Sequence, residues 1–196
     1  MKAIIKAIVF EKYGDPEVLE LREVPKPTAG DNDVLVKVHA TSVNSWDWDF
    51  LRGTPVFNRM WGGLFKPKYT ILGGDIAGEV EAVGAHVTRF RPRDAVYGDI
   101  AMAGFGGFAE YVSAPENLLA RKSDKMTFAQ AAAIPEAGLL ALQGLRLKEH
   151  LGPGHRVLIN GAGGGVGPFA MQITKQLGAE VTGVDHTSKQ DFMRAA

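Results

Sequence analysis

The sequence predicts an α/β fold in two parts: a β-barrel-type domain over residues 1–126, then linking helices and the opening of a parallel-sheet domain over residues 127–196. Three observations carry this. The first part reads as short β-branched strands broken by turn residues. The texture changes at Thr127 to segments rich in Ala and Leu. A glycine run then falls between an apolar strand and an amphipathic helix, and a second strand follows.

Taken in order, Ala3–Phe10, Val18–Val24 and Val34–Val43 are expected strands, separated by Gly14-Asp15-Pro16 and by the stretch 25–33. Ile76–Val83, Asp94–Tyr97, Phe108–Ser113 and Leu118–Ala120 follow, and so many short strands indicate a compact, partly barrel-like unit. Phe128–Ala133 and Ala137–His150 are expected helices, with Pro135 near the start of the second, where a proline is tolerated. Gly152-Pro153-Gly154 breaks the chain before a strand Arg156–Asn160, a helix Val166–Leu177 and a strand Glu180–Val184. That order is one βαβ unit.

Composition narrows the function. Lys plus Arg and Asp plus Glu are 22 each, so no global field favours nucleic acid or an anionic membrane. Local cations such as Arg89, Arg91, Arg93, Lys66 and Lys68 read as solvated faces. There is no cysteine, which removes disulfides, thiolate catalysis and Cys-ligated zinc. The N-terminal apolar run is too short for a signal sequence and no run has the length of a membrane span, so a cytoplasmic location is expected.

The most informative motif is Gly161-Ala162-Gly163-Gly164-Gly165-Val166-Gly167. Glycines at 161, 164 and 167 permit a tight turn, an approach of backbone N–H groups to a pyrophosphate, and close packing of helix on strand. The helix N-terminus adds unpaired donors and a positive dipole end. With a strand before it and a helix after it, the loop predicts dinucleotide binding through Gly161, Gly164, Gly165, Val166 and Gly167. Asp185 ends the second strand, where an acidic residue bonds the adenosine ribose and favours NADH. Lys189, with His186 and Ser188, is placed instead to hold a 2′-phosphate, and Asp185 alternatively serves as an N-cap, so NADPH and NADH both remain open.

The segments VLINGAGGGVGPFAMQITKQLGAEVTGVD, GGDIAGEVEAVGAHVTRFRPRDAVYG and GGFAEYV together resemble the zinc-free medium-chain dehydrogenase/reductases, the quinone oxidoreductase-like branch of the alcohol dehydrogenase superfamily. The resemblance implies a GroES-like catalytic domain followed by a Rossmann domain. It implies an NAD(P)H-dependent transfer of hydride to quinones, enones or other activated carbonyls. It also implies a small-molecule partner, no nucleic acid or membrane, and a homodimer. In the zinc branch, a cysteine and a histidine stand where this chain has Asn44 and Gly74, and the third ligand position falls near Glu136. One carboxylate cannot hold zinc, which takes about four ligands, so no metal is expected. Asn44 and Trp48 are the candidate catalytic residues, with Trp46, Phe57, Met60 and Trp61 lining an apolar cleft. Leu140, where relatives often carry a threonine, and the charged Glu136 depart from the family pattern. The chain stops inside the second Rossmann helix, with roughly two of about six strands; a truncated, weakly active form is expected. A zinc-independent alcohol dehydrogenase and a non-catalytic nucleotide-binding protein are the alternatives.

Overall fold

The computed structural model describes residues 3–147 and 150–195. The chain divides into two compact units, Met1–Pro135 and Glu136–Ala196. The second starts at the helix that opens with Pro135, so the first linking segment packs with the β unit.

In the first unit, β1 (Ile4–Val9) and β2 (Glu20–Pro25) form an antiparallel pair. The five-stranded antiparallel sheet has the order β6 (Tyr111–Pro115), β3 (Asp33–Thr41), β4 (Asp75–Val83), β5 (Ala95–Asp99) and β7 (Ala120–Arg121). Alternation of buried and accessible residues along β1, β5 and β6 matches strands with one face on a core. β3 instead buries Val34, Leu35 and Val36 in succession, because the register shifts between Leu35 and Val36. Val34 and Val36 pack with Ile76, Val80, Val96, Ile100 and Val112, each of which contributes about 1.5–3 kcal/mol by leaving water.

The barrel expected from the strand count is not closed. β1 reaches the chain ahead of β6 only through an isolated bridge, Ala7 to Ala109, flanked by Ile8 N–H to Phe108 O at 2.8 Å and Glu110 N–H to Lys6 O at 3.1 Å. The ladder does not propagate from there, so the two sheets remain separate.

Two helices between β3 and β4 had no counterpart in the strand-dominated expectation. β3 ends at Thr41 and α1 (Ser45–Arg52) begins after Asn44, with Gly53 in the left-handed region at φ 61° closing it. The cue was Asn44 followed three residues later by Asp47, a capping box. α2 (Arg59–Gly62) is one turn, and α3 (Phe128–Ala132) lies on β3 and β4 with its own Thr127–Gln130 capping box.

In the second unit, α4 (Pro135–Arg146) leads to β8 (Arg156–Asn160), α5 (Gly167–Gln176) and β9 (Glu180–Val184), with β8 and β9 parallel and paired Arg156 to Glu180. α6 (Gln190–Ala195) follows a short turn, Thr187–Lys189. The helix expected over Ala137–His150 includes Lys148 and Glu149, which lie outside the described residues. Both strands coincide with their expected limits. Leu158 and Val184 remain 69% and 46% exposed, so this small sheet leaves apolar faces uncovered. Among the described residues, no helix is long and apolar enough to cross a membrane.

Candidate functional site

The candidate residues fall into two constellations, one in each unit. In the second, the turn after β8 is tied to the end of β9: the Gly161 and Ala162 N–H groups both donate to Val184 O, at 2.8 and 3.1 Å. Gly161 sits at φ 80°, a conformation glycine adopts without strain. Gly164 N–H turns back to Gly161 O at 2.9 Å. At Gly167 the constraint is steric, since a Cβ there would lie 2.3 Å from Ala162 O, so only glycine lets α5 start this close to the loop. Around Gly165, by contrast, a Cβ would meet nothing within 4 Å.

These bonds use the amides of Gly161 to Gly164. The amides of Gly165, Val166 and Gly167 find no protein acceptor among the described residues. They stand at the N-terminal end of α5, where aligned peptide dipoles place partial positive charge. Pro168 in the first turn has no N–H to contribute, so the donors concentrate on the three residues before it.

Asp185 joins this loop. Its Oδ2 accepts the Gly163 N–H at 2.9 Å, its Oδ1 accepts the His186 N–H at 2.6 Å, and Lys189 Nζ lies 3.3 Å from Oδ1. The His186 N–H above all, with the Gly163 N–H and the Lys189 ammonium, holds the carboxyl below the usual aspartate range, against an opposing effect of burial that is second only to the His186 contact. The turn Thr187–Lys189 is capped by His186, its side chain accepting the Ser188 N–H. The two residues with rival roles in cofactor choice are thus an ion pair. Gly163 was not singled out from the sequence; its role comes from a partner 22 residues away.

The first unit holds the other constellation. The Asn44 side-chain Nδ2 donates to Ser42 Oγ at 3.1 Å and to Asp75 Oδ2 at 3.0 Å, and Ser42 Oγ donates to the same Asp75 oxygen at 3.1 Å. Asp75 is 1% exposed, at the start of β4. Asp47, 3% exposed, accepts the Asn44 N–H through Oδ2 at 2.9 Å and the Gly73 N–H through Oδ1 at 2.8 Å. Burial pushes the Asp47 carboxyl above the aspartate range and nearby Asp99 adds to this, while N–H groups of Asn44, Gly73 and Gly74 oppose it. Ser42, Asp47 and Asp75 were not counted as site residues in the sequence; their cues were the Gly73-Gly74-Asp75 run and the Asn44–Asp47 spacing.

Trp48 is not part of this network. It is 42% exposed, with the Arg52 guanidinium 5.1 Å from its ring centre. Trp46, Phe57, Met60 and Trp61 are also between 42% and 79% exposed, and Phe57 and Trp61 meet edge to face at 6.4 Å. None of them lines the apolar cavity of about 750 Å³ in this unit, which is bounded instead by residues including Ile8, Leu21, Val38, Thr41, Val43 and Phe108. Leu140, on α4, is 49% exposed, and Glu136 lies in that helix's first turn. Among the described residues, no three His, Cys, Asp or Glu side chains gather as a metal site.

Comparison with known proteins puts both constellations in context. Residues 30–124 match the alcohol dehydrogenase GroES-like domain. The chain is 34% identical over 200 residues to the chloroplast envelope quinone oxidoreductase homolog of Arabidopsis thaliana, covering 98% of this chain and 59% of that protein. It superposes on the quinone oxidoreductase from Coxiella burnetii with a TM-score of 0.87 at 36% identity, covering 98% of this chain and 60% of that one. A solved NAD-dependent alcohol dehydrogenase gives 0.83 at 32% identity, covering 97% and 61%. The chain therefore spans about three-fifths of the relatives it matches.

Proposed function

We propose, since this chain belongs to the quinone oxidoreductase-like medium-chain dehydrogenase/reductases, that its parent enzyme reduces quinones, enones or related activated carbonyls with NAD(P)H and without zinc. The observation that carries the reading is the row of unbonded amides at Gly165, Val166 and Gly167 on the N-terminus of α5. Such a row suits a pyrophosphate, because it offers several donors and a dipole end to a dianionic group. The residues present therefore fit a nicotinamide dinucleotide, which supplies hydride when bound.

The chain's own part is to bind and orient. Gly161 and Gly164 form the turn, and Gly165, Val166 and Gly167 take the phosphates. Asp185 bonds ribose hydroxyls in the NADH-binding mode, whereas Lys189 takes a 2′-phosphate in the NADPH-binding mode. Their ion pair ties the choice together: whichever cofactor binds must redirect one of the two. Asn44 and Trp48 are the proposed residues on the substrate side. The reading without zinc rests on Asn44 and Gly74 at two ligand positions, and on Asp75 Oδ2 being occupied by an amide and a hydroxyl. Likeness to an NAD-dependent alcohol dehydrogenase supports a zinc-independent alcohol dehydrogenase as the second reading. The exposed Leu158 and Val184 support association as a homodimer.

The test is a quinone and enone panel with NADPH and NADH, run on the purified protein beside nucleotide titration. Saturable nucleotide binding with quinone-dependent oxidation supports the proposal. Alcohol-dependent NAD(P) reduction without quinone reduction favours the second reading, and no nucleotide binding overturns both.

A further inference from the structure

A connection that runs over a protein's surface is ordinarily polar, yet the one between α1 and β4 is not. Val56, Phe57, Met60, Trp61, Leu64 and Phe65 are all exposed, and Phe65, at 92%, stands almost wholly in water. Single apolar residues on a surface need no explanation, but a run of them this dense marks a surface meant to be covered. The display is built into the loop. Lys68 N–H donates to Gly62 O at 2.6 Å, closing the turn that carries Leu64 and Phe65 at its tip. Gly63 has φ 107°, and a Cβ there would lie 2.1 Å from Lys66 O, so the turn closes only around glycine. The base is tied to the interior: Tyr13 Oη donates to Gly63 O, and a Cβ at Gly62 would sit 3.0 Å from the Phe50 ring.

Charge on this stretch has one sign. From Phe50 to Gly74 the sequence carries Arg52, Arg59, Lys66 and Lys68 and no acidic residue. Arg52 pairs with Asp15 at 3.1 Å, and Arg59 is held by Gly53 O at 3.0 Å and by the Tyr13 ring. Lys66 and Lys68 are exposed on either side of buried Pro67, and neither makes an ion pair among the described residues. Read from sequence, these lysines form a solvated face; the structure sets Leu64 and Phe65 beside them.

We propose that residues 56–68 are a docking surface for an anionic lipid bilayer, with Leu64 and Phe65 entering the headgroup boundary and Lys66 and Lys68 meeting lipid phosphates. Lysine stems lie along apolar surface while their ammonium groups stay among the headgroups, and the amphipathic indole of Trp61 suits the same boundary. A second copy of this chain suits the tip less well. A two-fold contact there would gather the lysines of both copies with no acid to offset them. The family resemblance implies no membrane partner, and the balance of 22 cationic and 22 acidic residues gives the whole chain no net attraction to one. Docking is therefore local and peripheral, and it stands independently of the proposed reduction.

The test sediments the full chain with vesicles of phosphatidylcholine alone and of phosphatidylcholine and phosphatidylglycerol in equal parts. Binding to the anionic vesicles should be at least about tenfold tighter, and salt should remove most of that preference. Phe65→Ser should weaken binding at least about tenfold, and Lys66→Gln and Lys68→Gln about fivefold each. These positions are exposed, so urea unfolding and NADPH titration of the variants should match the unaltered protein, which separates a lost surface from a lost fold. Lipids brominated in the acyl chain should quench tryptophan emission, and Trp61→Phe should remove most of the quenching. No binding to anionic vesicles, equal affinity for both kinds, binding unmoved by Phe65→Ser, or quenching that survives Trp61→Phe overturns the proposal. An oligomer that Phe65→Ser dissolves while vesicles bind nothing also overturns it and assigns the tip to a second copy. None of these results touches the nucleotide loop, so the proposed function stands or falls separately.

Discussion

Replacing Gly165 by alanine tests the phosphate cradle with least disturbance to the chain itself. A Cβ at Gly165 would meet nothing within 4 Å, and the residue's φ is outside the left-handed region. Alanine there should leave stability unchanged or raise it by about 0.4–1 kcal/mol through the unfolded state. The Gly165 amide finds no acceptor among the described residues, and in the proposed site the added methyl stands where a pyrophosphate oxygen would approach. A loss of at least tenfold in affinity for NAD(P)H is expected, which is about 1.4 kcal/mol. Gly167→Ala gives the opposite pattern. Its Cβ would lie 2.3–2.5 Å from the Ala162 backbone, and forcing the loop apart costs about 1–3 kcal/mol of stability before any ligand is added. The assay is a fluorescence titration with NADPH and NADH, paired with urea unfolding of the same samples. If Gly165→Ala binds within about twofold of the unaltered protein, the free amides are not the phosphate site. If Gly167→Ala is as stable as the parent, the close approach of α5 to the loop is not what requires glycine.

Asp185→Ser removes the ribose acceptor and releases Lys189 from its ion pair, so the NADPH to NADH affinity ratio should rise several-fold; Lys189→Ala should lower it, and a ratio unmoved by both places cofactor choice elsewhere. Asp47→Asn removes an acceptor for buried N–H groups and should destabilise by about 1–3 kcal/mol. Because burial raises the Asp47 carboxyl in the folded state, its stabilising contribution is fullest in acid and is lost as pH rises through the raised value. The stability gap between parent and variant should therefore narrow over that interval, and a gap that widens with pH would show the carboxylate to be the favoured form. Elemental analysis of the purified protein should give no stoichiometric zinc, and a zinc that survives chelation and sustains quinone reduction would overturn the metal-free reading.

How far the sequence carried depended on the range of each interaction. Strands β8 and β9 coincide with their expected limits because each is a short run with β-branched residues that follows a glycine turn, Gly154 and Gly178, a signal contained within a few residues. α1 was missed although its cues, Asn44, Asp47 and Gly53, lay in plain order, because three aromatic residues among eight read equally well as part of a β-rich stretch. Trp48 entered as a neighbour of Asn44 in sequence, but Asn44 is the cap before α1 and turns its side chain to Ser42 and Asp75, whereas Trp48 lies a turn further along the helix, beside Arg52.

What the sequence by itself determined was the order of elements, the family resemblance, and the places where a helix start and a strand end require glycine, since these follow from local backbone sterics. What only the tertiary structure decided was which polar groups meet. The β3–β4 register, shifted between Val38 and Ala40 and pairing Thr41 with Ile76, brings Asp75 within reach of Ser42 and Asn44, 33 and 31 residues away. The Gly163–Asp185–Lys189 contact is likewise set by the parallel pairing of β8 with β9. A hydrogen bond is specified by distance and angle between atoms far apart in the chain, and no periodicity or spacing encodes that until the strands that carry them have paired.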